Sequence, residues 1–135
     1  MEISKKGYCI DSDILIDFLR GVEQAREFLE RESTHRTLYV SVASIVELYA
    51  GKQVWKIDKH TEVIDRLLKN FEVIELNSWR AKYAGLLRSK YQRPFADMIV
   101  AACALDNGLL LATRNVKHFN MIEGKEGTLE IVRPY

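Results

Sequence analysis

The sequence predicts an α/β fold in which a mostly parallel sheet carries helices on both faces. The first observation behind this prediction is that short apolar runs alternate with longer segments whose apolar residues recur at helical spacing. The second is that four apolar runs each end at a group of side-chain oxygens. In parallel sheets the functional groups lie at the carboxyl ends of the strands. A length of 135 residues, 47% of them hydrophobic, predicts a single domain over 1–135.

The predicted strands and helices alternate along most of the chain. Strands are expected at 8–10, 38–40, 71–76, 109–113 and 129–132. Helical spacing occurs at 14–19, 22–31, 42–50, 63–68, 79–87 and 95–105. Residues that favour helix ends flank these segments: the candidate caps are Ser12 or Asp13 and Ser41 or Ser44, and the candidate stops are Gly21, Gly51 and Asn107-Gly108.

Composition limits the classes of partner. The formal net charge is +1, so a nucleic acid would have to be held by local basic patches and a metal ion rather than by a global positive field. Cys9 and Cys103 lie inside apolar runs, which favours buried, reduced thiols over a disulfide. No apolar run is long enough to span a bilayer, and the first residues lack the apolar core of a signal peptide, so we expect a soluble cytoplasmic protein without a membrane partner.

Three acids and one amide stand where a site is expected. Asp11 directly follows the first strand, Glu47 is the only charge in the apolar segment 42–50, and Asp97 is the only charge between Pro94 and Leu105. Asn115 follows the strand at 109–113. A carboxylate is seldom buried without a partner, and a divalent cation supplies one. We therefore predict that Asp11, Glu47, Asp97 and Asn115 form a catalytic pocket.

The same residues also have ordinary structural explanations. Asp11 and Asp13 could cap the next helix, Glu47 could face solvent, Asp97 could be an exposed acid at a helix start, and 113–115 could form a turn. Hard oxygen ligands without a convergent His or Cys cluster favour Mg²⁺ or Mn²⁺. The predicted metal ligands are Asp11, Asp97 and Glu47, whereas the neutral Asn115 is a weaker ligand that could orient water.

Basic residues are concentrated in two places. Five lie between Asn77 and Ala96 without an intervening acid, and three lie beside Asn115. They are Arg80, Lys82, Arg88, Lys90 and Arg93, then Arg114, Lys117 and His118. Tyrosines interleave with the first group, an arrangement that suits a groove following a phosphate backbone, although an ordinary solvated helix face is the alternative.

Four stretches, read together, resemble the PIN-domain ribonucleases and most closely the VapC-type toxins. They are Cys-Ile-Asp-Ser-Asp-Ile-Leu-Ile-Asp-Phe-Leu from Cys9, Ser-Val-Ala-Ser-Ile-Val-Glu-Leu-Tyr-Ala-Gly from Ser41, Phe-Ala-Asp-Met-Ile-Val-Ala-Ala-Cys-Ala-Leu from Phe95, and Leu-Leu-Leu-Ala-Thr-Arg-Asn-Val-Lys-His-Phe from Leu109. The resemblance implies a three-layer α/β/α sandwich and places the family's acids on Asp11, Glu47 and Asp97. Its fourth acidic position falls on Asn115, which puts a second metal ion in doubt.

The resemblance also implies an activity and its partners. It implies Mg²⁺- or Mn²⁺-dependent endonucleolytic cleavage of RNA, a homodimer, and neutralisation by a cognate antitoxin whose C-terminal segment fills a groove of the toxin. The hydroxyls of Ser12 and Thr113 match positions that line such sites, and Asp13 could supply part of the charge missing at Asn115.

Two other functions remain open at this point. Asp11-Ser12-Asp13 has the Asp-x-Asp form used for covalent phosphoryl transfer, so an aspartyl-phosphate phosphatase or phosphoacceptor domain is one alternative. The neutral Asn115 keeps a second alternative open, a catalytically silent module that binds RNA or protein in the same groove.

Overall fold

A parallel sheet forms the middle layer of the computed structural model, which describes residues 6–124 and 127–135. The strands are β1 (Tyr8–Ile10), β2 (Leu38–Ser41), β3 (Glu72–Ile74), β4 (Leu110–Ala112), β5 (Glu123–Gly124), β6 (Gly127–Thr128) and β7 (Ile131–Val132). Five of them form the sheet in the order β3-β2-β1-β4-β7, and every neighbouring pair is parallel. β5 and β6 pair separately as an antiparallel ribbon.

Helices cover both faces of this sheet. They are α1 (Ser12–Leu19), α2 (Glu23–Ser33), α3 (Val42–Tyr49), α4 (Asp58–Leu68), α5 (Ser78–Tyr91), α6 (Phe95–Asp106) and α7 (Val116–Phe119), with a short 3-10 helix at Val54–Lys56. On β1, Cys9 packs into one buried cluster with residues of α5 and α6, while Tyr8 and Ile10 pack into another with residues of α1 and α2. This alternation follows from the two-residue period of a strand. The predicted three-layer fold is confirmed.

Local signals at helix ends were read correctly in some places and wrongly in one. Ser41 is the N-cap of α3, and its hydroxyl accepts the Ser44 N–H at 3.3 Å. Gly21 follows α1 with a φ of +83°, which glycine adopts without steric cost. The expected cap at Ser12 or Asp13 is wrong, because the N-cap of α1 is Asp11, whose side chain accepts the Ser12 N–H.

The last part of the chain differs most from the prediction. α7 and the β5–β6 ribbon were not predicted, because segments of two to four residues are too short to show a period. The final strand is limited to Ile131–Val132. The Leu129 N–H instead donates to the Ile122 carbonyl, so Leu129 belongs to the segment beside the ribbon.

Both cysteines are buried and unbonded, and burial is the main cause that raises the pKa of each thiol. In the described ranges, no helix has both the length and the apolar character that crossing a bilayer requires.

Candidate active site

The carboxyl edge of the sheet brings Asp11 and Thr113 together although they are far apart in sequence. β1 and β4 are neighbours, and the Asp11 N–H donates to the Ala112 carbonyl at 2.9 Å. The Thr113 hydroxyl donates to Oδ2 of Asp11 at 2.8 Å, and the Ser12 N–H donates to Oδ1 at 2.8 Å. Asp11 is therefore buried, 4% exposed, with both carboxylate oxygens hydrogen-bonded.

Asp13 fixes the segment that follows β4. Its Oδ2 accepts the Arg114 N–H at 2.8 Å and lies 3.4 Å from the Thr113 hydroxyl, and its Oδ1 accepts its neighbour's N–H, that of Ile14, at 2.8 Å. Asp13 thus joins the first turn of α1 to the loop after β4. It does not act as the helix cap.

Asp97 and Glu47 approach the same edge from other helices. Asp97 lies in the first turn of α6, and its Oδ2 is 3.2 Å from Nδ1 of His118 on α7. Glu47 lies on α3 and is exposed to solvent, and burial raises the pKa of its carboxyl group against the lowering effect of a hydrogen bond from Ser12. The solvent-facing alternative for Glu47 is thus correct for the residue as a whole, while its carboxyl group still faces the other acids.

Burial raises the pKa of all four acids, and neighbouring acids raise the pKa of two of them further. Burial, then the charge of Asp13, raises the pKa of Asp11 to about 7, and Asp97 adds to the effect. Burial raises the pKa of Glu47, and the charges of Asp97 and Asp13 raise it further. Burial also raises the pKa values of Asp13 and Asp97, against the lowering effects of Arg114 on the first and of His118 and Arg93 on the second. Asp11, Asp13, Glu47 and Asp97 therefore form one electrostatically coupled group, which we call the acidic pocket.

The chemistry of the acidic pocket suits a hard divalent cation, because four carboxylates that repel one another are stabilised by a shared positive ion. Yet over residues 6–124 and 127–135 no three acidic, imidazole or thiol side chains are already spaced to hold a metal. In the structure, oxygens of Asp11, Asp13 and Asp97 instead contact Thr113, Arg114 and His118. The charges of Asp13 and Asp97 nevertheless act on Asp11 and Glu47, so the four acids lie close enough to interact.

Asn115 lies at the rim of this group. It is the N-cap residue of α7, its backbone N–H donates to the Thr113 hydroxyl at 3.0 Å, and the residue is exposed. Its place beside Thr113 keeps it next to the acidic pocket, and its role there remains a prediction.

The predicted basic residues divide into those near the acidic pocket and those away from it. Arg93 and His118 act on Asp97, and the Arg88 guanidinium carbon lies 5.0 Å from the ring centroid of Phe95, two residues before Asp97. Lys117 is exposed on α7. Arg114 also lies beside the pocket, where its N–H donates to Asp13 at 2.8 Å. The other three are exposed or have contacts elsewhere: Arg80 pairs with Asp106 at 2.7 Å at the other end of α6, Lys82 is exposed on α5, and Lys90 lies over the Tyr91 ring.

Two residues of the site were missed by the sequence analysis. Asp17, only 8% exposed, accepts the Tyr135 hydroxyl at 2.7 Å and pairs with the Arg114 guanidinium at 2.5 Å. The sequence feature that indicates Asp17 is its spacing from Asp13, because residues four apart lie on the same face of a helix. Nothing in the sequence indicates that Tyr135 reaches Asp17.

Comparisons with known proteins agree with the fold. The family whose sequence profile matches is the PIN domain, over residues 8–124, which is most of the chain. The chain therefore belongs to the PIN-domain family.

Individual relatives make the similarity more specific. The chain is 36% identical over 125 residues to Ribonuclease VapC10 of Mycobacterium tuberculosis, an alignment that covers 84% of this chain and 86% of the relative. A toxin–antitoxin complex from Klebsiella pneumoniae has a similar chain, with a TM-score of 0.75, 27% identity, and coverage of 97% of this chain and 98% of that one. VapBC2 from Rickettsia felis, bound to a DNA fragment from its promoter, shares the fold with a TM-score of 0.78 at 22% identity, covering 94% and 99% of the two chains.

Proposed function

We propose that this protein is a divalent-metal-dependent endoribonuclease that acts as the toxin of a toxin–antitoxin pair. The observation that carries the proposal is the acidic pocket at the carboxyl edge of the sheet, where burial raises the pKa of all four carboxylates and neighbouring acids raise those of Asp11 and Glu47 further. A group of acids whose pKa values are raised together is typical of a functional site. The identity to a ribonuclease over most of both chains supports RNA as the substrate.

Asp11, Asp97 and Glu47 are the proposed ligands of Mg²⁺ or Mn²⁺, with Asp13 and Asn115 at the margin. When bound, such an ion activates water and offsets the negative charge that grows on the phosphate. The Thr113 hydroxyl and the Ser12 N–H hold the Asp11 carboxylate in place, and His118 holds Asp97.

RNA would approach along the basic residues nearest the pocket. These are Arg88, Arg93, Arg114, Lys117 and His118. Phe95 is 69% exposed and rests on Arg88, so its free face suits a stacked base. We leave Arg80 out of this surface, because its guanidinium is neutralised by Asp106 and also donates to the Glu75 carbonyl at 2.9 Å.

The test is cleavage of structured RNA in Mn²⁺ by wild-type protein, by Asp97→Asn and by Asp106→Asn. Asp97→Asn removes a negative ligand with little change in shape, so we expect the rate to fall by on the order of 100-fold. Asp106→Asn is the matched control, because it makes the same substitution on the same helix, about 14 Å away at roughly 1.5 Å per residue. Its cleavage rate should stay close to that of the wild type.

Two outcomes would refute the proposal. The first is equal cleavage by wild type and Asp97→Asn. The second is wild-type protein that binds RNA equally well in chelator and in Mn²⁺ and never cuts it, which is the behaviour of the silent binding module. The phosphoacceptor alternative is disfavoured by the burial of Asp11, whose two oxygens already accept hydrogen bonds.

An apolar groove supports a protein partner as well. It has a volume of about 420 Å³, lies between α1, α3 and α4, and includes Glu47 at its margin. Its lining includes Ile16, Leu19, Leu48 and Val63. We propose that the cognate antitoxin places an apolar segment here. The antitoxin encoded by a neighbouring reading frame should inhibit wild-type cleavage but not that of Val63→Asp, whose own cleavage should be unchanged.

A homodimer is proposed on the resemblance to the VapC-type toxins. Light scattering would measure it as about twice the chain mass of 15.6 kDa.

A further inference from the structure

Asp17 connects Arg114 to Tyr135 beside the acidic pocket. Nη1 of Arg114 lies 2.5 Å from Oδ2 of Asp17, and the Tyr135 hydroxyl donates to the same oxygen at 2.7 Å. The guanidinium carbon is 5.7 Å from the centroid of the Tyr135 ring, close enough for a cation–π contact. The arginine side chain is thus held by a carboxylate and by an aromatic face.

The backbone of Arg114 is held at the pocket itself. Its N–H donates to Asp13 at 2.8 Å. Asp13 and Asp17 share one face of α1 and are separated by one helical turn, which is about 5.4 Å. Arg114 therefore extends from the rim of the acidic pocket along α1, and its guanidinium lies about one turn away.

The guanidinium remains available to a ligand. The Arg114 side chain is 41% exposed, whereas that of Asp17 is 11% exposed. A guanidinium has five N–H donors, and the contact to Asp17 uses one of its nitrogens. The free donors suit a phosphate, which arginine binds through two parallel hydrogen bonds.

An unrestrained arginine at this position would be drawn to the wrong partner. Asp13 of the acidic pocket already accepts the Arg114 backbone N–H, and a long flexible cation is attracted to such a group of carboxylates. Asp17 and Tyr135 instead hold the guanidinium along α1.

We infer that Asp17 and Tyr135 are positioning residues for Arg114. They hold its guanidinium where it binds an RNA phosphate, namely the neighbour of the phosphate that lies at the acidic pocket. This inference rests on the proposed function. It makes Arg114 a phosphate-binding residue, and it assigns a role in substrate binding to two residues that do not touch the substrate.

If Asp17 only neutralised the charge of Arg114, its substitution would change RNA binding in the opposite direction. If Asp17 only cancels the charge of Arg114, then removing the carboxylate leaves the protein more positive and strengthens its interaction with RNA. If Asp17 positions Arg114, then the same substitution weakens RNA binding although a negative charge has been removed.

The experiment measures kcat and KM for a short fluorescein-labelled single-stranded RNA in Mn²⁺. Asp17→Asn should raise KM about three- to tenfold and leave kcat nearly unchanged, because a uniform binding contact is lost. Arg114→Gln should raise KM similarly and reduce the salt dependence of binding by about one phosphate contact. The KM of the double variant should equal that of Arg114→Gln alone, since both substitutions remove the same contact.

Glu32→Gln is the matched control. Glu32 pairs with Arg36, which lies over the ring of Tyr8, so the same three chemical groups occur far from the pocket. Its KM should equal that of the wild type. Tyr135→Phe keeps the ring and removes only the hydroxyl, so it should raise KM in the same direction but less. If Asp17→Asn does not fold, Tyr135→Phe decides the question.

An unchanged or lowered KM for Asp17→Asn, or for Tyr135→Phe in its place, overturns the inference while the nuclease function stands. Wild-type protein that fails to cleave RNA in Mn²⁺ overturns the proposed function and the inference with it.

Discussion

Two clusters with the same chemical groups lie at opposite edges of the sheet. At the amino edge Glu32, Arg36 and Tyr8 meet, with 3.6 Å between the charged atoms and 4.9 Å from the guanidinium carbon to the ring centroid. At the carboxyl edge Asp17, Arg114 and Tyr135 meet, and the charged atoms are 2.5 Å apart.

The surroundings of the two arginines differ. The Arg36 side chain is 21% exposed and, besides its ion pair with Glu32, donates a hydrogen bond to the Lys6 carbonyl at 2.8 Å. Arg114 is 41% exposed, and its backbone is bound to an acid of the pocket. Composition alone therefore does not distinguish the two ion pairs, whereas exposure and the proximity of the acidic pocket do.

The largest expected effect on RNA cleavage comes from substituting an acid of the acidic pocket, at the carboxyl edge of the sheet. Asp11→Asn should lower RNA cleavage by on the order of 100-fold while raising the free energy of unfolding of the metal-free protein at pH 8. The physical reason is that a neutral amide removes the burial cost and the repulsion that raise the pKa of Asp11 to about 7. Cleavage assays and urea denaturation measure the two effects. A variant that is both inactive and less stable would indicate that Asp11 is mainly structural.

The pH dependence of the free energy of unfolding should also distinguish the acidic pocket from the Glu32 cluster, but with a smaller effect than RNA cleavage. The pKa of Asp11 in the folded protein, about 7, lies above its ordinary value of 3.8, so the folded chain keeps a proton that the unfolded chain releases. The resulting stabilisation is complete below about pH 4 and is lost as the pH rises through 7, by on the order of a few kcal/mol. Asp13, Glu47 and Asp97 contribute with the same sign, because their pKa values are also raised.

Urea denaturation in chelator across this pH range measures the effect. Asp11→Asn should show a shallower decline in stability than wild type, and Glu32→Gln should show the wild-type slope. A wild-type stability that rises between pH 5 and 8 would contradict the prediction.

The smallest effect is expected at the amino edge. Glu32→Gln should lower the free energy of unfolding by about 1 kcal/mol, because a partly buried ion pair with Arg36 and an interaction with the Tyr8 hydroxyl are weakened. RNA cleavage should be unchanged. Thermal and urea denaturation measure the loss. A cleavage defect in this variant would show that the two clusters are not functionally separate.

Much of the fold could be predicted because it is encoded locally. Short apolar runs indicated β1, β2 and β4, and helical spacing indicated the larger helices. Ser41 caps the start of α3 and Gly21 follows the end of α1, as expected. The sequence offers Asp11, Ser12 and Asp13 as candidate caps of α1, since three adjacent polar residues have the same capping chemistry, and the backbone path selects Asp11.

The candidate site was predictable in part. A lone acid in an apolar run identifies Asp97 without any structure, and the same reasoning drew attention to Glu47, whose exposure was left open. The pairing of His118 with Asp97 and the contacts of Asp17 were not accessible, because their partners lie in other elements.

The sequence by itself determined which segments become strands and helices and which acids stand out against apolar surroundings, because these properties depend on neighbours within a few residues. Only the tertiary structure decided which distant side chains meet. Thr113 reaches Asp11, and both Arg114 and Tyr135 reach Asp17, across most of the chain length. Parallel strands all end at one edge of the sheet, so residues from β1, β4 and β7 converge there regardless of their separation in sequence.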